Sequence, residues 1–444
     1  MSNNPAALPK RDKFSFSFAL MGQTMIFNVV NLYLMIFYTD IFGLSAALVG
    51  TIFLAARFWD AVNDPIMGMI VDKTSTKWGK CRPYLLWFPA PIALITFLLF
   101  LSPDLGTTGK IIYAAVTYIL WGMFYTAVDI PLWTMSSRMT VDSSQRQSTI
   151  AWGRVFNILG SFFPVILFVP LKNALGGGNE AKGYAAAALL FCIVALPLMI
   201  QSFWGTRERA PMTEEKKPTL KENLKAITHN KPLMLLLVST VLAVFVALPV
   251  SAGIYFVTYN LGDEGLFAIL AGTVLTSAVI GSALAPVLAK KIPSRTILIW
   301  ANLLSAGLFI IGYFAGYSSL PVVLVLTFLI GLLLGAPLVL RTSMLADTVE
   351  YAELKTGKRS EGIIFSTLTF TGKLKLGLSA FFVGVVLDLV RYVPNAVQTA
   401  QSLNGIYMML TLIPALGSII TVIPLFFYKL SEDEHKRIVE ELGD

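Results

Sequence analysis

Two aspartates spaced four residues apart lie inside an otherwise apolar stretch of the chain. The stretch is Arg57-Phe58-Trp59-Asp60-Ala61-Val62-Asn63-Asp64-Pro65. On a helix, Asp60 and Asp64 share one face, with the amide oxygen of Asn63 beside them and Arg57 one turn before Asp60. A carboxylate within a membrane helix is costly unless it faces a partner or a wet cavity. The pattern therefore favours a functional site.

A second polar stripe lies in the fourth apolar run. Thr126, Asp129 and Trp133 follow the spacing i, i+3, i+7, which places them on one helical face. Together with Asp60, Asn63 and Asp64 they offer three carboxylates, a hydroxyl and an amide oxygen. A set made only of oxygens, with a net negative charge, suits a hard cation such as Na⁺.

The polar residues that follow the first motif have a plainer interpretation. Asp72, Lys80 and Arg82 could form a structural charge cluster that closes a helix pair at the membrane surface. Asp60 and Asp129 lie deeper in their apolar runs, where ionisable residues are functional by default.

The composition is that of a membrane protein. Of the 444 residues, 56% are hydrophobic and 14% are charged, and the mean hydropathy is +0.71. A soluble chain of this length would carry far more charge. Apolar runs of about 20 residues recur along the chain, each long enough to cross the ~30 Å hydrocarbon core. The sequence predicts an all-α, polytopic membrane protein.

Twelve transmembrane helices are predicted from these runs. The first six cover residues 14–38, 46–71, 83–101, 110–135, 148–171 and 184–204. The second six cover residues 233–258, 265–288, 296–316, 320–345, 361–391 and 404–428. The eleventh begins in a polar segment, so we expect its first part to lie in the cytoplasm.

The distribution of Lys and Arg predicts the orientation. These residues concentrate at the N-terminus, in the loops after even-numbered spans and at the C-terminus. Both termini are therefore expected in the cytoplasm, with the protein in the plasma or inner membrane. The same distribution accounts for the formal net charge of +8 and argues against a nucleic-acid partner.

Several other classes of site are excluded by what the chain contains. Two cysteines, Cys81 and Cys192, make no disulfide framework, and with only two histidines no His/Cys metal site is expected. There is no phosphate-binding glycine loop and no Ser/His/Asp pattern. We expect no enzyme and no cofactor, so transport would draw on an ion gradient or on the gradient of the substrate.

The longest polar connection, residues 205–232, divides the chain into two similar halves. The prediction is an N-terminal six-helix bundle at 1–204, a cytoplasmic middle loop at 205–232 and a C-terminal six-helix bundle at 233–444. Two pseudo-symmetric bundles that rock about a central site are the organisation of the major facilitator superfamily.

Four motifs point to one family within that superfamily. They are Arg57-x-x-Asp60-Ala61-x-Asn63-Asp64-Pro65-x-x-Gly68, Gly79-Lys80-x-Arg82-Pro83, Tyr125-Thr126-x-x-Asp129-Ile130-Pro131-x-Trp133 and Asp347-x-x-Glu350-Tyr351-x-Glu353-x-Lys355-Thr356-Gly357-x-Arg359-x-Glu361-Gly362. In these motifs the chain resembles the glycoside–pentoside–hexuronide:cation symporters, and most of all their melibiose permease branch. The resemblance covers nearly the whole chain.

The resemblance implies roles for the matching positions. It implies that a monovalent cation is bound by the side chains of Asp60, Asn63, Asp64 and Thr126. It also implies that Asp129 touches both cation and sugar. The same resemblance places Trp133 against a sugar ring and Arg154 on sugar hydroxyls, roles that suit an aromatic face and a charged hydrogen-bond donor.

Two further roles follow from the resemblance. Lys373 matches the family's lysine of the eleventh span by its distance to Tyr392-x-Pro394, whereas Lys375 matches by local motif; we favour Lys373, paired with the carboxylates. An interfacial lysine is the alternative. Arg146 matches a gate arginine, and we expect it to form ion pairs with Asp347 and Glu350.

One departure from the family concerns the first span. Gln23 and Thr24 stand where the permease branch has a Lys-Asp pair whose aspartate binds galactosyl hydroxyls. Both can still bind sugar hydroxyls, so they are candidate substrate ligands. The lost carboxylate leaves Arg154 and a lysine less neutralised, so an acidic sugar, either a hexuronide or a sulfonated sugar, becomes a live alternative.

The sequence thus predicts a transporter that carries a sugar or glycoside inward with Na⁺, Li⁺ or H⁺, working as a monomer among membrane lipids. Na⁺ is favoured because Asn63 and Thr126 add neutral oxygens that a proton would not need. An amphiphile such as a lysophospholipid is an alternative cargo, which the polar Asp129 and Arg154 disfavour. A sugar sensor that does not transport is the alternative from another class.

Overall fold

The computed structural model describes residues 8–140, 142–209, 227–357 and 361–443. Within these ranges every extended regular element is helical. The helices are α1 (Lys10–Ile36), α2 (Ala46–Lys73), α3 (Arg82–Trp87), α4 (Pro89–Leu99), α5 (Thr107–Arg138), α6 (Ser143–Gly176), α7 (Glu180–Gly205), α8 (Lys231–Leu242), α9 (Leu248–Tyr255), α10 (Leu266–Ala289), α11 (Ser294–Ala315), α12 (Leu320–Thr356), α13 (Glu361–Leu389), α14 (Ala400–Leu410), α15 (Leu412–Phe426) and α16 (Glu432–Gly443).

The prediction of an all-α polytopic membrane protein is confirmed. In the described part of the chain, ten helices are long and apolar enough to cross a membrane, and a pair bent by 43°, Lys231–Leu242 with Phe245–Asn260, makes an eleventh. The predicted third span is divided at Phe88 into α3 and α4. Pro89 causes this break because it lacks an N–H group and disfavours helical backbone at the residue before it.

Polar side chains set several helix starts. The carboxylate of Asp142 accepts a hydrogen bond from the backbone N–H of Gln145 at the start of α6. The amide oxygen of Asn179 does the same for Lys182 at the start of α7. Such caps satisfy backbone donors that have no partner within the helix. They hold both helices in register with the connections before them.

The tenth predicted span is shorter than the helix that contains it. The prediction ended at residue 345, whereas α12 continues to Thr356 and stops at Gly357, whose φ of +69° is left-handed. Hydropathy reports where an apolar run ends, and the polar segment after Leu345 continues the same helix. The motif residues Asp347 and Glu350 are therefore helical and lie in the last part of α12.

The chain divides into two compact units, Met1–Glu214 and Glu215–Asp444. In the first unit, α1 packs against α6 and α7, and α2 packs against α5. In the second unit, α10 packs along α12, and α11 packs against α12 and α15. A Cβ added at Gly281 or Gly335 would overlap a backbone carbonyl of the facing helix, so these glycines permit the close contact of α10 with α12.

Glu208 fixes the connection between α2 and α3. Its carboxylate accepts hydrogen bonds from the backbone N–H groups of Lys80, Cys81 and Arg82, at 3.1, 2.8 and 3.2 Å. Negative charge at the first turn of a helix is stabilising. Burial, aided by this carboxylate, raises the pKa of the Cys81 thiol to about 12. The thiol is therefore protonated at neutral pH.

The structural interpretation of the charge cluster agrees with its contacts. The Lys80 ammonium donates to the backbone carbonyl of Asp72 at 2.7 Å. The Arg82 guanidinium donates twice to the backbone carbonyl of Phe203, at 2.7 and 3.0 Å. These bonds tie the α2–α3 connection to the end of α7.

Candidate functional site

Arg57 and Asp60 form a buried ion pair on α2. Arg57 Nη1 lies 2.9 Å from Asp60 Oδ2, and the two side chains are 6% and 4% exposed. The second terminal nitrogen of Arg57 donates to the hydroxyl of Tyr118 on α5, also at 2.9 Å. One guanidinium therefore neutralises Asp60 and joins α2 to α5, which explains how a carboxylate is held in the interior.

A glycine gives Asp60 its space. A Cβ placed on Gly122 of α5 would lie 3.0 Å from Asp60 Oδ1, which is tighter than ordinary contact. Gly122 and Tyr118 are four residues apart, so they lie on the same face of α5. Asp60 is thus enclosed by the tyrosine that shares its arginine and by a position without a side chain.

Thr126 and Asp64 form the second contact between α2 and α5. Thr126 Oγ1 donates to Asp64 Oδ1 at 2.8 Å, and Thr126 is buried while Asp64 is partly buried. Asn63 lies between the two aspartates in sequence, and its Nδ2 atom is buried with no hydrogen-bond partner among the described residues. Three of the five residues predicted for the cation site, Asp60, Asp64 and Thr126, thus lie at the contact of α2 with α5, and Asn63 lies on α2 beside them.

Asp129 contacts the first helix. The side-chain amide of the buried Gln23 donates to Asp129 Oδ1, with a nitrogen–oxygen distance of 2.5 Å. Two positions that sequence reasoning assigned to substrate binding are therefore in direct contact. The bond also shows that α1 supplies a neutral partner for this carboxylate.

Thr24 has a partner that sequence reasoning missed. Asn157 on α6 donates to Thr24 Oγ1 at 2.5 Å. One turn further along α1, Asn28 donates to Ser161 of α6 at 3.2 Å. The signal that could have found this polar seam is the pair of asparagines within apolar spans, since buried amides need partners. The side chains of Gln23 and Thr24 therefore form hydrogen bonds with different helices, α5 and α6.

Trp133 and Arg154 stack. The guanidinium carbon of Arg154 lies 4.8 Å from the centroid of the Trp133 ring, a cation–π contact between α5 and α6. Phe16 of α1 meets the same indole edge-to-face at 6.3 Å between centroids. The Arg154 side chain is exposed and makes no direct salt bridge in the described part of the chain, although the carboxylate of Asp129 acts on its charge. The guanidinium is therefore accessible to a ligand, with Asp129 as a counter-charge.

The remaining predicted residues lie partly in the second unit. Lys373 and Lys375 are both partly buried on α13, and the pairing of Lys373 with the carboxylates stays a prediction. Asp347 and Glu350 on α12 face His435 of the C-terminal helix α16, at 3.9 and 3.5 Å from its ring nitrogens. Their predicted gate with Arg146, at the start of α6, also stays a prediction.

The described residues contain no group of three or more His, Cys, Asp and Glu side chains placed to hold a metal ion. Asp129 is paired with Gln23, whereas Asp64 is paired with Thr126. A monovalent cation at Asp64 could also be bound by hydroxyl and amide oxygens, such as those of Thr126 and Asn63. A group made only of His, Cys, Asp and Glu side chains does not include such oxygens.

The comparisons with known proteins agree on one family. A family model described as MFS/sugar transport protein matches residues 15–432. The isoprimeverose transporter of Lactiplantibacillus pentosus is 33% identical over 442 residues, covering 98% of this chain and 91% of that protein. The inner membrane symporter YicJ of Escherichia coli (strain K12) is 33% identical over 444 residues, covering 98% and 95%.

The chain belongs to the glycoside–pentoside–hexuronide:cation symporter family. The crystal structure of the nucleoside transporter NupG covers 94% of this chain and 98% of that chain, with a TM-score of 0.67 at 12% identity. That likeness shows the major facilitator fold. The protein is therefore an integral membrane transporter of the sugar-transport branch of that fold, and not an enzyme.

Proposed function

We propose that this symporter-family protein couples the inward transport of a sugar or glycoside to a monovalent cation, with Na⁺ favoured over Li⁺ and H⁺. It does so by alternating access in the cell inner membrane, with both termini in the cytoplasm. The observation that carries the proposal is the contact of Thr126 Oγ1 with Asp64 Oδ1, next to the Arg57–Asp60 pair. This contact holds a hydroxyl oxygen and a carboxylate together within the first unit.

The choice of Na⁺ rests on the number of oxygens. Asp64 contributes a carboxylate, and Thr126 adds a hydroxyl oxygen beside it. A half-turn of the Asn63 amide would put its oxygen where the buried Nδ2 now lies without a hydrogen-bond partner among the described residues. A proton needs only one carboxylate, so neutral oxygens beside it favour a metal cation.

The sugar side of the proposal rests on Trp133 and Arg154. The apolar face of a pyranose packs well on an indole ring, and a guanidinium donates several hydrogen bonds to hydroxyls. The two groups already lie 4.8 Å apart, so one sugar can touch both. The relative named for isoprimeverose transport supports a glycoside as cargo. Asp129, which accepts a hydrogen bond from Gln23, is proposed to contact both the sugar and the cation.

An acidic sugar is the second candidate, and one observation favours it. The exposed guanidinium of Arg154 stacks on Trp133 and forms no direct salt bridge among the described residues, and the carboxylate that acts on it, Asp129, already accepts a hydrogen bond from Gln23. Gln23 supplies an uncharged amide where the melibiose permease branch has charged residues. A carboxylate or sulfonate on the substrate would neutralise Arg154. The polar side chains of Asp129 and Arg154 disfavour an amphiphile as cargo.

The test is counterflow in proteoliposomes with a panel of labelled neutral and acidic sugars, with and without Na⁺. The proposal predicts that at least one sugar exchanges and that Na⁺ increases its exchange more than K⁺ at equal ionic strength. Exchange that is equal in both salts would contradict the cation assignment. The absence of exchange for every sugar would contradict the transport assignment.

A further inference from the structure

The outer part of the first helix is enclosed except along a narrow stripe. Among residues 22–36 of α1, all but Phe27, Asn28 and Asn31 are buried. An asparagine side chain that faced lipid would lose the hydrogen bonds it makes with water, which is unfavourable. Two amides on the accessible face of a membrane-spanning helix therefore face water or a polar ligand.

This stripe lies in the groove between α5 and α6. Phe27 packs against Tyr125 of α5, with 5.2 Å between the ring centroids. The next residue, Asn28, donates a hydrogen bond to a serine of α6 at 3.2 Å. Trp133 of α5 and Arg154 of α6, the pair proposed to contact a sugar ring, join the same two helices. The accessible amides and the proposed sugar-binding pair therefore share one groove of the first unit.

Three asparagines in this groove use their amide nitrogens within the protein. Asn31 donates to a backbone carbonyl one turn earlier in α1 at 2.7 Å, and Asn28 donates to the backbone carbonyl of Thr24 at 3.0 Å. Asn157 of α6 donates to the hydroxyl of Thr24. The amide oxygens of the three asparagines accept no hydrogen bond from the described residues, and all three side chains are only half-buried. Each oxygen can therefore accept a hydrogen bond from a ligand hydroxyl.

The three amides extend beyond the groups proposed to contact one sugar ring. Asn157 lies three residues after Arg154, about 4.5 Å further along α6, and Asn31 lies seven residues after Thr24, about 10 Å further along α1. The two helices run in the same direction at this contact, so both extensions follow one line. Uncharged acceptor oxygens suit the hydroxyls of a neutral ring and repel a carboxylate or sulfonate.

We infer that Asn28, Asn31 and Asn157 form a second sugar subsite, which binds the uncharged second ring of a glycoside whose first ring contacts Trp133 and Arg154. The amide oxygens accept hydrogen bonds from the hydroxyls of the second ring. The amide nitrogens, bonded to the protein, fix the positions of those oxygens. The inference rests on the proposed function as a sugar transporter and names the substrate as a glycoside of at least two rings.

The first experiment measures binding of matched sugars to the purified full-length protein by isothermal titration calorimetry. The pairs are methyl α-D-xyloside with isoprimeverose and methyl α-D-galactoside with melibiose. We expect wild type to bind the disaccharide of at least one pair about tenfold more tightly than the methyl glycoside. Asn31→Leu and Asn157→Leu should each reduce that preference about fivefold, because each removes one acceptor for a ring hydroxyl.

Asn302→Leu is the matched control. Asn302 also donates to a backbone carbonyl one turn earlier in its helix, at 2.8 Å, but it is buried on α11 of the second unit. This variant should bind both members of each pair as wild type does. Thermal unfolding in detergent checks that all variants are folded. Asn31→Leu loses only a bond within its own helix and should unfold within a few degrees of wild type.

The second experiment tests whether the amide stripe is accessible from water. Cys81 and Cys192 are both buried, so modification by the membrane-impermeant thiol reagent MTSET reports an added cysteine. Asn31→Cys should react, and the more tightly bound disaccharide should slow the reaction at least fivefold. The methyl glycoside of the same pair, at equal occupancy, should slow it less. Asn302→Cys should not react.

Four results would overturn the inference. They are the absence of a disaccharide preference in both pairs, an unchanged preference in Asn31→Leu and Asn157→Leu, no reaction of Asn31→Cys, and equal protection by both members of a pair. Failure of the proposed function has a different signature. In that case no sugar of the panel exchanges in counterflow, whatever the binding and labelling results.

Discussion

Gln23 donates a hydrogen bond to Asp129 across the interface of α1 and α5, with 2.5 Å between Nε2 and Oδ1. Gln23 is almost fully buried. A glutamine amide carries no charge, so this bond orients the Asp129 carboxylate without adding a counter-charge. The carboxylate is therefore positioned for a cation or a hydroxyl, and the first helix sets that position without competing for the charge.

Changing Thr24 to aspartate should alter substrate choice. The new carboxylate would accept hydrogen bonds from sugar hydroxyls, each worth about 1.5–3 kcal/mol when charge-assisted. Asn157, which now donates to Thr24, could donate to the carboxylate as well. We expect Thr24→Asp to gain measurable binding of methyl α-galactoside and to weaken binding of an acidic substrate at least tenfold.

Thr24→Asn is the matched control, because it has nearly the same shape and no charge. It should change neither binding constant by more than about threefold. A neutral native sugar whose transport is unaffected by Thr24→Asp would contradict the acidic-sugar candidate. It would also show that α1 does not contribute to the pocket at this position.

Removing the Thr126 hydroxyl should weaken the cation more than the sugar. Thr126→Ala takes away one oxygen and frees Asp64 from its hydrogen bond. We expect the Na⁺ concentration for half-maximal transport to rise about tenfold, equivalent to about 1.4 kcal/mol. Thr126→Ser keeps the hydroxyl and should stay near wild type. An unchanged Na⁺ requirement in Thr126→Ala would remove this threonine from the cation site.

The Arg57–Asp60 pair should show strong coupling in a double-mutant cycle. Removal of one partner leaves a buried charge unpaired, which costs about 3–5 kcal/mol. Arg57→Gln should therefore lower the unfolding temperature in detergent clearly. The double variant Arg57→Gln/Asp60→Asn should recover much of that loss while remaining unable to couple transport to Na⁺. Lys182→Gln, an exposed cation, is the control, and equal unfolding temperatures for Arg57→Gln and this control would contradict the pairing.

Local patterns predicted which polar residues share a helix. The spacing placed Arg57 one helical turn before Asp60, and the structure adds an ion pair between them that the sequence analysis did not predict. Apolar runs located the membrane-spanning helices because membrane thickness fixes their length. Helix ends were predicted less well, as in α12, because polar residues continue the helix beyond the apolar run.

Contacts between distant segments could not be predicted from the residues alone. Tyr118, Asn157 and Glu208 are ordinary polar residues in the sequence, and their partners lie 61, 133 and at least 126 positions away. Only the packing of helices brings them together. His435 likewise reaches Glu350 through the docking of α16, a helix whose short polar sequence gave no transmembrane signal.

The most direct test of cation coupling is uptake of ²²Na⁺ driven by sugar. Proteoliposomes are given an inward gradient of the sugar identified by counterflow, at equal Na⁺ on both sides and with the membrane potential clamped. The account predicts that wild type and Asp104→Asn, an exposed loop control, accumulate ²²Na⁺, and that Asp64→Asn does not. Sugar entry by wild type without ²²Na⁺ accumulation would contradict it, as would accumulation by Asp64→Asn at the wild-type level.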